Sequence, residues 1–562
     1  MNELSGDAQW AGAVEASRLG RKYRGGWAPR EDRVHPSTAT AAVMARRLTA
    51  ARTTTGGPPA VPAAASPGPL PFRSAARPPG RPIRTAAVVL APMALMLGLG
   101  LWGVRHQGSM GRDESTTYQM AHRDLAEIWQ VLGNIDAVHG LYYLLMHAVY
   151  AVWDGGLAAL RLPSVLAMTA AAGAVALIGR RLAGPGVGLA AGLAFPLIPT
   201  TQQFAQEGRS YALVCATVAW CTYLLLRAVD RRDKGAWAGY AAVAVVACLL
   251  HEFAVLAVVA HGVTLSLARV PGAVRRAWGV AAGCVLVPLV PLVVISEHQS
   301  DAVSWIKPAE PFEMVRLAVL TVVAAGCAAA PGPARRGPVR LWTVALPLLV
   351  LPSALLMLSA VVHPLYAHRY VVYSYLGLAL ALGAGVDWLA RSARRRGRPA
   401  VVCACAAAVA VLAALLPTWS QLRSPQGHLD DPAGAARVVR ELAAPGDGVL
   451  FMPTDRRESL LSHPDHYRGL NDLALDQTPT ASGTLHGIEF TAARLPARML
   501  SADRIVVLRD VRYRSTDDTA EGRAKRAVLA SHYEECASGR AHGITVIVYA
   551  RPGRCAERAS GA

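Results

Sequence analysis

The chain has 562 residues, of which 53% are hydrophobic and 17% are charged, and its formal net charge is +19. Soluble domains usually carry about 25% charged residues, so this composition excludes an ordinary soluble protein. The basic residues stand in short runs between apolar blocks, which is typical of membrane topology signals, and no nucleic-acid partner is predicted.

The N-terminal segment, residues 1–83, is rich in Ala, Pro, Gly, Thr and Arg, as in "TTTGGPPAVPAAASPGP". No apolar periodicity persists there, which predicts a disordered cytoplasmic tail. The segment lacks an apolar region followed by a cleavage site, so we do not expect a signal peptide.

Residues 84–417 contain apolar blocks of about 17–25 residues, the length that crosses a bilayer as a helix. They predict about eleven transmembrane helices. The predicted spans are 84–104, 161–179, 186–204, 210–227, 235–251, 253–268, 277–295, 313–330, 341–361, 370–389 and 400–417. One further apolar stretch, residues 139–153, is too short to span comfortably.

The distribution of basic residues orients these spans. If residues 139–153 do not cross, the basic runs all face the cytoplasm. These runs are Arg180–Arg181, 227–234, 269–276, 334–340 and 391–398. If residues 139–153 did cross, every later loop would invert, against the positive-inside rule. We therefore expect an amphipathic helix at 139–153 in the outer interface of a multi-pass cell-membrane protein, with a cytoplasmic N-terminus and an extracytoplasmic C-terminus.

Residues 418–562 are polar and predict a small extracytoplasmic α/β domain. Residues 504–511 and 544–551 have the apolar pattern of strands, and residues 519–536 between them have the pattern of a helix.

Two cysteines, Cys536 and Cys555, flank the last predicted strand. In an oxidising compartment they predict a disulfide that closes a loop of about 20 residues, worth roughly 3 kcal/mol. Two exposed thiols are the alternative.

Nearly every predicted outer loop offers an acid, a His, an Arg or an aromatic residue at the membrane boundary, where ionisable groups are costly unless paired or functional. These loops contain Asp113, Glu114, His122, Asp136, His139, Gln206, Glu207, Arg209, Tyr211, His251, Glu252, Glu297, His298, Gln299, Trp305, Lys307, His363, Tyr366, His368, Arg369 and Tyr370. Guanidinium groups beside lipid match phosphate, and a carboxylate can deprotonate a hydroxyl. A tryptophan can stack on a sugar ring. This mixture favours glycosyl transfer from a lipid-phosphate donor, in contact with membrane lipid.

Simpler interpretations stand beside this one. Asp113 and Glu114 are also typical of solvated loop charges, Arg209 of an interfacial snorkelling side chain, and Trp305 of an interface anchor. For the whole chain the alternatives are a lipid-linked glycan transporter or flippase and a non-catalytic glycan-binding membrane protein. A transporter usually shows inverted repeats and charges at mid-membrane, and neither is visible in this sequence.

Five short motifs occur in an order that resembles a known group. They are "RDES" (112–115), "DAVHGLYYLLMH" (136–147), "ALRLPSVL" (159–166), "QFAQEGRSYAL" (203–213) and "HRYVVYSYLGLAL" (368–380). The chain resembles the GT-C membrane glycosyltransferases, of the RgtA/B/C/D-like and glycosyltransferase family 39 type. Gly140 stands where many members have Pro.

The resemblance implies an α-helical GT-C fold with interfacial helices in the first outer loop. It also implies an inverting transfer of a sugar from a polyprenyl-phosphate donor to a hydroxyl of a glycan, lipid or protein acceptor. Mannose is the expected sugar, with arabinose or another sugar as the alternative. By position, Asp113 is the expected base, and Glu114 supports it or contacts the acceptor.

The same resemblance distributes the substrate-binding roles. Arg209 and Arg369 are expected to bind the donor phosphate, and Lys307 adds positive charge. The remaining expected substrate-binding residues are His139, Tyr211, His251 and Trp305. No cofactor is expected, with a divalent cation held by Asp113, Glu114 and histidines as the alternative.

Overall fold

The computed structural model describes residues 85–105, 110–300, 306–331, 338–424, 427, 430–511 and 517–555. The predicted tail, residues 1–83, lies outside the described residues, and so does Trp305.

Each of the eleven predicted spans coincides with helical structure. The helices are α1 (Thr85–Leu101), α5 (Leu157–Ala183), α6 (Pro185–Leu197), α7 (Pro199–Ala205), α8 (Tyr211–Arg231), α9 (Lys234–Leu250), α10 (Val255–Leu267), α11 (Gly272–His298), α12 (Pro311–Ala328), α13 (Leu341–Leu358), α14 (Tyr375–Arg396) and α15 (Arg398–Gln421). Within the described part of the chain, seven helices are long and apolar enough to cross a membrane. The remaining predicted spans correspond to shorter helices, so the count of eleven stays a prediction. The seven long apolar helices are those of a mostly helical membrane protein.

One predicted span, 186–204, is broken rather than continuous. Ile198 separates α6 from α7 and has an extended backbone, with φ −70° and ψ 122°. Pro199 follows it, and a proline disfavours the helical conformation at the residue before it. The break lets the chain turn at the predicted outer end of this segment, just before the "QEGR" turn.

The first predicted outer loop contains three helices, α2 (Arg112–Ala121), α3 (Leu125–Asn134) and α4 (Gly140–Val152). Helix α4 is the predicted helix at 139–153. Helix α2 has the two acids Asp113 and Glu114 in its first turn, where negative side chains interact favourably with the helix dipole. The Glu114 carboxylate also accepts a hydrogen bond from the N–H of Gly111, the residue before the helix, at 3.0 Å.

The C-terminal α/β part, residues 430–555, contains a five-stranded sheet of order β2-β1-β5-β7-β6, parallel from β2 to β5 and antiparallel from β5 to β6. Its elements are α16 (Pro432–Leu442), β1 (Gly448–Met452), α17 (Glu458–Ser462), β2 (Asn471–Asp472), β3 (Leu475–Gln477), α18 (Pro479–Ser482), β4 (Ile488–Glu489), α19 (Leu495–Leu500), β5 (Arg504–Asp510), α20 (Ala520–His532), β6 (Glu534–Ala541) and β7 (Ile544–Ala550). Helix α16 packs on one face of the sheet, and α19 and α20 pack on the other.

The predicted strands 504–511 and 544–551 correspond to β5 and β7. The predicted helix 519–536 is too long, because the chain leaves α20 at Tyr533 and continues as β6, which pairs with β7. Cys536 in β6 forms a disulfide with Cys555, with their Cα atoms 5.3 Å apart.

Candidate active site

Helix α2 places the Asp113 carboxylate beside two arginines from distant parts of the chain. Arg369 Nη1 donates to Asp113 Oδ2 at 2.9 Å, and Arg209 Nη1 lies 3.5 Å from the Asp113 carbonyl oxygen. Burial alone would raise the pKa of Asp113, but Arg369, Arg209 and Arg112 together hold it below its usual value. Asp113 is therefore an ionised carboxylate, and its side chain keeps 29% of its surface exposed.

The neighbouring acid, Glu114, has a different environment. Arg161 of α5 donates to both of its oxygens, from Nε to Oε1 and from Nη2 to Oε2, each at 2.7 Å. The N–H of Gly208 donates to Oε1 at 2.9 Å and that of Gly111 to Oε2 at 3.0 Å. Glu114 is 1% exposed and Arg161 is 0% exposed. These contacts attach the start of α2 to α5 and leave Glu114 no open face for contact with an acceptor.

Arg209, in the turn before α8, lies in a buried polar group. Its Nη1 donates to the hydroxyl of Tyr143 at 2.9 Å, and its Nη2 lies 3.8 Å from Asp136 Oδ2. Tyr143 in turn donates to Asp136. The Nε of Arg209 is buried and has no hydrogen-bond partner among the described residues. We call Asp113, Asp136, Tyr143, Arg209 and Arg369 the Asp113 cluster.

Aromatic and imidazole rings line the buried side of the Asp113 cluster. The ring centroids of His139 and His251 are 5.4 Å apart, those of His139 and Tyr211 are 6.0 Å apart, and those of His251 and Tyr370 are 4.7 Å apart. Burial, with Arg209, His251 and Arg369 nearby, lowers the pKa of His139 well below its usual value. The imidazole of His139 is therefore neutral, and its Nδ1 lies 3.2 Å from Ser210 Oγ.

The turn between α7 and α8 adds one more acid, Glu207. Burial raises its pKa to about 8, with further increases from the negative charges of Asp113 and Glu114. Glu207 is therefore mainly protonated at neutral pH, which makes it a poor proton acceptor there.

Sequence reasoning placed Asp113, His139, Arg209, Tyr211, His251 and Arg369 at one site, and the structure brings these residues together. Lys307 is different, because it is exposed and forms no ion pair in the described part of the chain.

Two contributors were missed by sequence reasoning. Tyr143 was not among the predicted site residues, but its hydroxyl accepts a hydrogen bond from Arg209 and donates one to Asp136. Arg161 lies in the motif "ALRLPSVL" and begins a predicted span, but no role was predicted for it. An arginine inside the apolar stretch "AALRLPSVL" was the available signal, because a charge at that depth requires a partner.

The described residues contain no group of three or more His, Cys, Asp and Glu side chains arranged to hold a metal ion.

Comparison with known proteins identifies the fold. Residues 141–295 match the model of the dolichyl-phosphate-mannose-protein mannosyltransferase family. The apo structure of ArnT from Cupriavidus metallidurans superimposes with a TM-score of 0.51 at 13% identity, over 82% of this chain and 97% of ArnT. The protein has the GT-C fold. The expected resemblance to GT-C glycosyltransferases is thus confirmed at the level of the fold.

Two further structures superimpose on this GT-C-fold protein with lower TM-scores. ArnT from the same organism bound to undecaprenyl phosphate has a TM-score of 0.48 at 13% identity, over 83% of this chain and 98% of ArnT. The arabinosyltransferase EmbB from Mycobacterium smegmatis has a TM-score of 0.39 at 20% identity, over 58% of this chain and 33% of EmbB. No curated protein matches the sequence.

The family match and the site overlap only in part. Residues 141–295 include Tyr143, Arg209 and His251, but Asp113 and Arg369 lie outside the matched range. The assignment of those two residues therefore depends on the contact between them.

Proposed function

We propose that this protein is a membrane glycosyltransferase that moves a sugar from a polyprenyl-phosphate donor to a hydroxyl acceptor with inversion. The observation that carries the proposal is the 2.9 Å contact between the Asp113 carboxylate and the Arg369 guanidinium, with Arg209 beside them. A general base and phosphate-binding cations then share one partly open site.

The reaction follows from this arrangement. Asp113 accepts the proton of the acceptor hydroxyl while that oxygen attacks the anomeric carbon. The bond between the anomeric carbon and the phosphate oxygen breaks, and the electron pair leaves with the polyprenyl phosphate. Arg209 and Arg369 stabilise the charge that develops on this leaving group. Attack from the face opposite the phosphate inverts the anomeric carbon.

Binding of the donor phosphate would also change the state of Asp113. In the unliganded site, Arg369 is the main cation that lowers the pKa of Asp113. When Arg369 binds phosphate instead, the carboxylate loses part of that stabilisation and becomes a stronger base. His139, Tyr211 and His251 would line the sugar and phosphate positions. Trp305 and Lys307 keep their sequence-based roles as proposals, stacking on the sugar and adding positive charge.

Mannose is the proposed sugar because the matching family model describes mannosyltransferases. The proposed reaction uses no cofactor. The proposed orientation places the N-terminus in the cytoplasm and the C-terminal α/β part outside, where the disulfide between Cys536 and Cys555 would be stable. Cysteine-accessibility labelling in residues 230–234 and 140–150 tests this orientation, and cytoplasmic labelling of residues 112–115 would contradict it.

The activity is tested with purified protein, a panel of polyprenyl-phosphate sugars and mass spectrometry of the products. We expect transfer by the natural sequence and at least a hundredfold loss in Asp113→Asn, which keeps the size of the side chain but cannot accept the proton. Asp154→Asn is the matched control, because Asp154 is exposed and lies in the same outer segment. Full activity of folded Asp113→Asn would refute the role of the base. Movement of an intact lipid-linked sugar across the membrane of vesicles, with no sugar transferred to an acceptor, would favour the transporter alternative.

A further inference from the structure

Arg112, the residue before Asp113, is surrounded by carboxylates of the C-terminal α/β part. Its Nη1 lies 2.9 Å from Asp455 Oδ2, and its Nε lies 3.5 Å from Glu458 Oε1. Asp510 and Asp430 lie slightly further from its guanidinium, at 3.8 and 3.9 Å. Although burial would lower the pKa of Arg112, these four acids raise it, so the guanidinium stays charged.

A second guanidinium, that of Arg456, shares three of these acids. Its Nη1 lies 2.6 Å from Asp430 and 3.3 Å from Glu458, and its Nη2 lies 2.8 Å from Asp510. Burial raises the pKa of Glu458 to about 8. Two guanidinium groups and four acids therefore lie in one network. We call these six side chains the Arg112 cluster.

The contact between the two parts extends beyond these charges. Ser115 Oγ of α2 donates to the Glu458 carbonyl oxygen at 3.3 Å. Further along the first outer loop, Arg123 donates to the Thr484 carbonyl oxygen at 2.9 Å. The Asn134 side chain donates to the carbonyl oxygen of Gly483 at 3.0 Å. The C-terminal α/β part therefore holds the beginning of α2 and the helix that follows it.

We propose that the C-terminal α/β part positions the base of the reaction, with Arg112 and Asp455 as positioning residues that hold α2 so that Asp113 meets Arg369. The inference rests on the proposed function only for the role of Asp113. Successive residues of a helix point about 100° apart, so Arg112 can be held by one part of the protein while Asp113 faces another.

The effect on catalysis follows from the sensitivity of proton transfer to distance. Helix α2 has a second attachment, the Glu114–Arg161 pair. Without the Arg112 cluster, α2 would keep this attachment but could rotate around it. A displacement of about 1 Å at a catalytic group can reduce the rate by about 100-fold.

The test uses the full-length protein and the variants Arg112→Gln, Asp455→Asn and the double variant. Asp465→Asn is the matched control, because Asp465 forms an exposed ion pair with Arg468 in the same part of the chain. Two quantities are measured: kcat and donor KM for transfer, and hydrogen exchange of the backbone amides of residues 112–121. Arg112→Lys shows whether charge alone restores function.

We expect Arg112→Gln to lower kcat by at least tenfold with donor KM changed less than twofold, and to increase exchange in residues 112–121. Asp455→Asn should do the same to a smaller extent. The double variant should lose no more than Arg112→Gln, because both changes break one contact. Arg112→Lys should recover part of kcat, and Asp465→Asn should behave like the natural sequence.

Unchanged kcat and unchanged exchange in Arg112→Gln would overturn the inference, as would a double variant whose losses multiply. If the natural sequence transfers no sugar from any donor, the proposed function fails by itself. The exchange measurement then decides the attachment, since protection of residues 112–121 must still fall in Arg112→Gln and Asp455→Asn but not in Asp465→Asn.

Discussion

The adjacent acids Asp113 and Glu114 should respond in opposite ways to the same chemical change. Glu114 accepts four hydrogen bonds, two on each oxygen, from Arg161 and from the N–H groups of Gly111 and Gly208. A glutamine there must turn its NH2 group toward two of these donors. Glu114→Gln therefore loses two contacts and removes the negative charge that faces the buried Arg161.

The magnitude follows from these losses. A hydrogen bond to a charged group contributes about 1.5–3 kcal/mol, and removal of one partner of a buried ion pair costs about 3–5 kcal/mol. We expect Glu114→Gln to lower the free energy of unfolding by roughly 3–5 kcal/mol. For a chain of this size, that corresponds to a fall in Tm on the order of 5 °C. Asp113→Asn should change Tm little, since Asp113 is partly exposed, yet remove transfer.

Thermal unfolding in detergent, monitored by size-exclusion chromatography, measures the difference in Tm between Glu114→Gln and Asp113→Asn. Replacing the pair in Glu114→Met/Arg161→Met should recover part of the stability, because no charge is then left unpaired, although the two glycine N–H groups still lose their acceptor. The reverse pattern would refute the reasoning. If Glu114→Gln kept the natural Tm and lost all transfer, Glu114 would be the reacting group.

Three further predictions concern the site and the C-terminal α/β part. Arg209→Lys should raise the donor KM and lower kcat by at least tenfold, measured in the donor panel, because a lysine cannot replace the planar guanidinium that contacts Tyr143 and the Asp113 carbonyl oxygen. The pKa of Glu207 is about 8 in the folded state, above its value in the unfolded chain, so the folded state binds more protons between these two values. Stability should therefore fall as pH rises from about 4.5 to about 8. In Glu207→Gln, Tm should depend less on pH over this range. An equal dependence of Tm on pH in the variant and the natural sequence would contradict the prediction. Cys536→Ser/Cys555→Ser should lose roughly 3 kcal/mol by the chain-entropy relation for a loop of this length and show faster proteolysis of the C-terminal α/β part, whereas unchanged proteolysis would assign the disulfide no stabilising role.

The helices of the membrane part were predictable because their signal is local. A block of about 20 apolar residues satisfies its own backbone hydrogen bonds as a helix, whatever surrounds it. The same local rule located α4 within residues 139–153. It did not locate the break at Ile198, where Pro199 acts on one residue inside an apolar block.

The parts that could not be predicted depend on partners far away in the chain. Helix α2 has few apolar residues, and its position depends on Arg161, Gly208 and the C-terminal α/β part. Strand β6 lacks the apolar alternation of a strand because it lies at the sheet edge with most residues exposed, and its pairing with β7 decides its structure. Sequence reasoning also grouped Asp113 with Glu114, since spacing alone does not show which carboxylate is already paired.

The three residues Arg112, Asp113 and Glu114 together explain why this short helix can hold a reacting group accurately. They occupy successive positions in the first turn of α2 and therefore point in three directions about 100° apart. Arg112 contacts the C-terminal α/β part, Asp113 contacts Arg369, and Glu114 contacts α5. A helix attached on two sides has little freedom to rotate about its axis. The remaining side, which carries Asp113, is consequently fixed toward the arginines while its carboxylate stays partly open, as an acceptor hydroxyl requires.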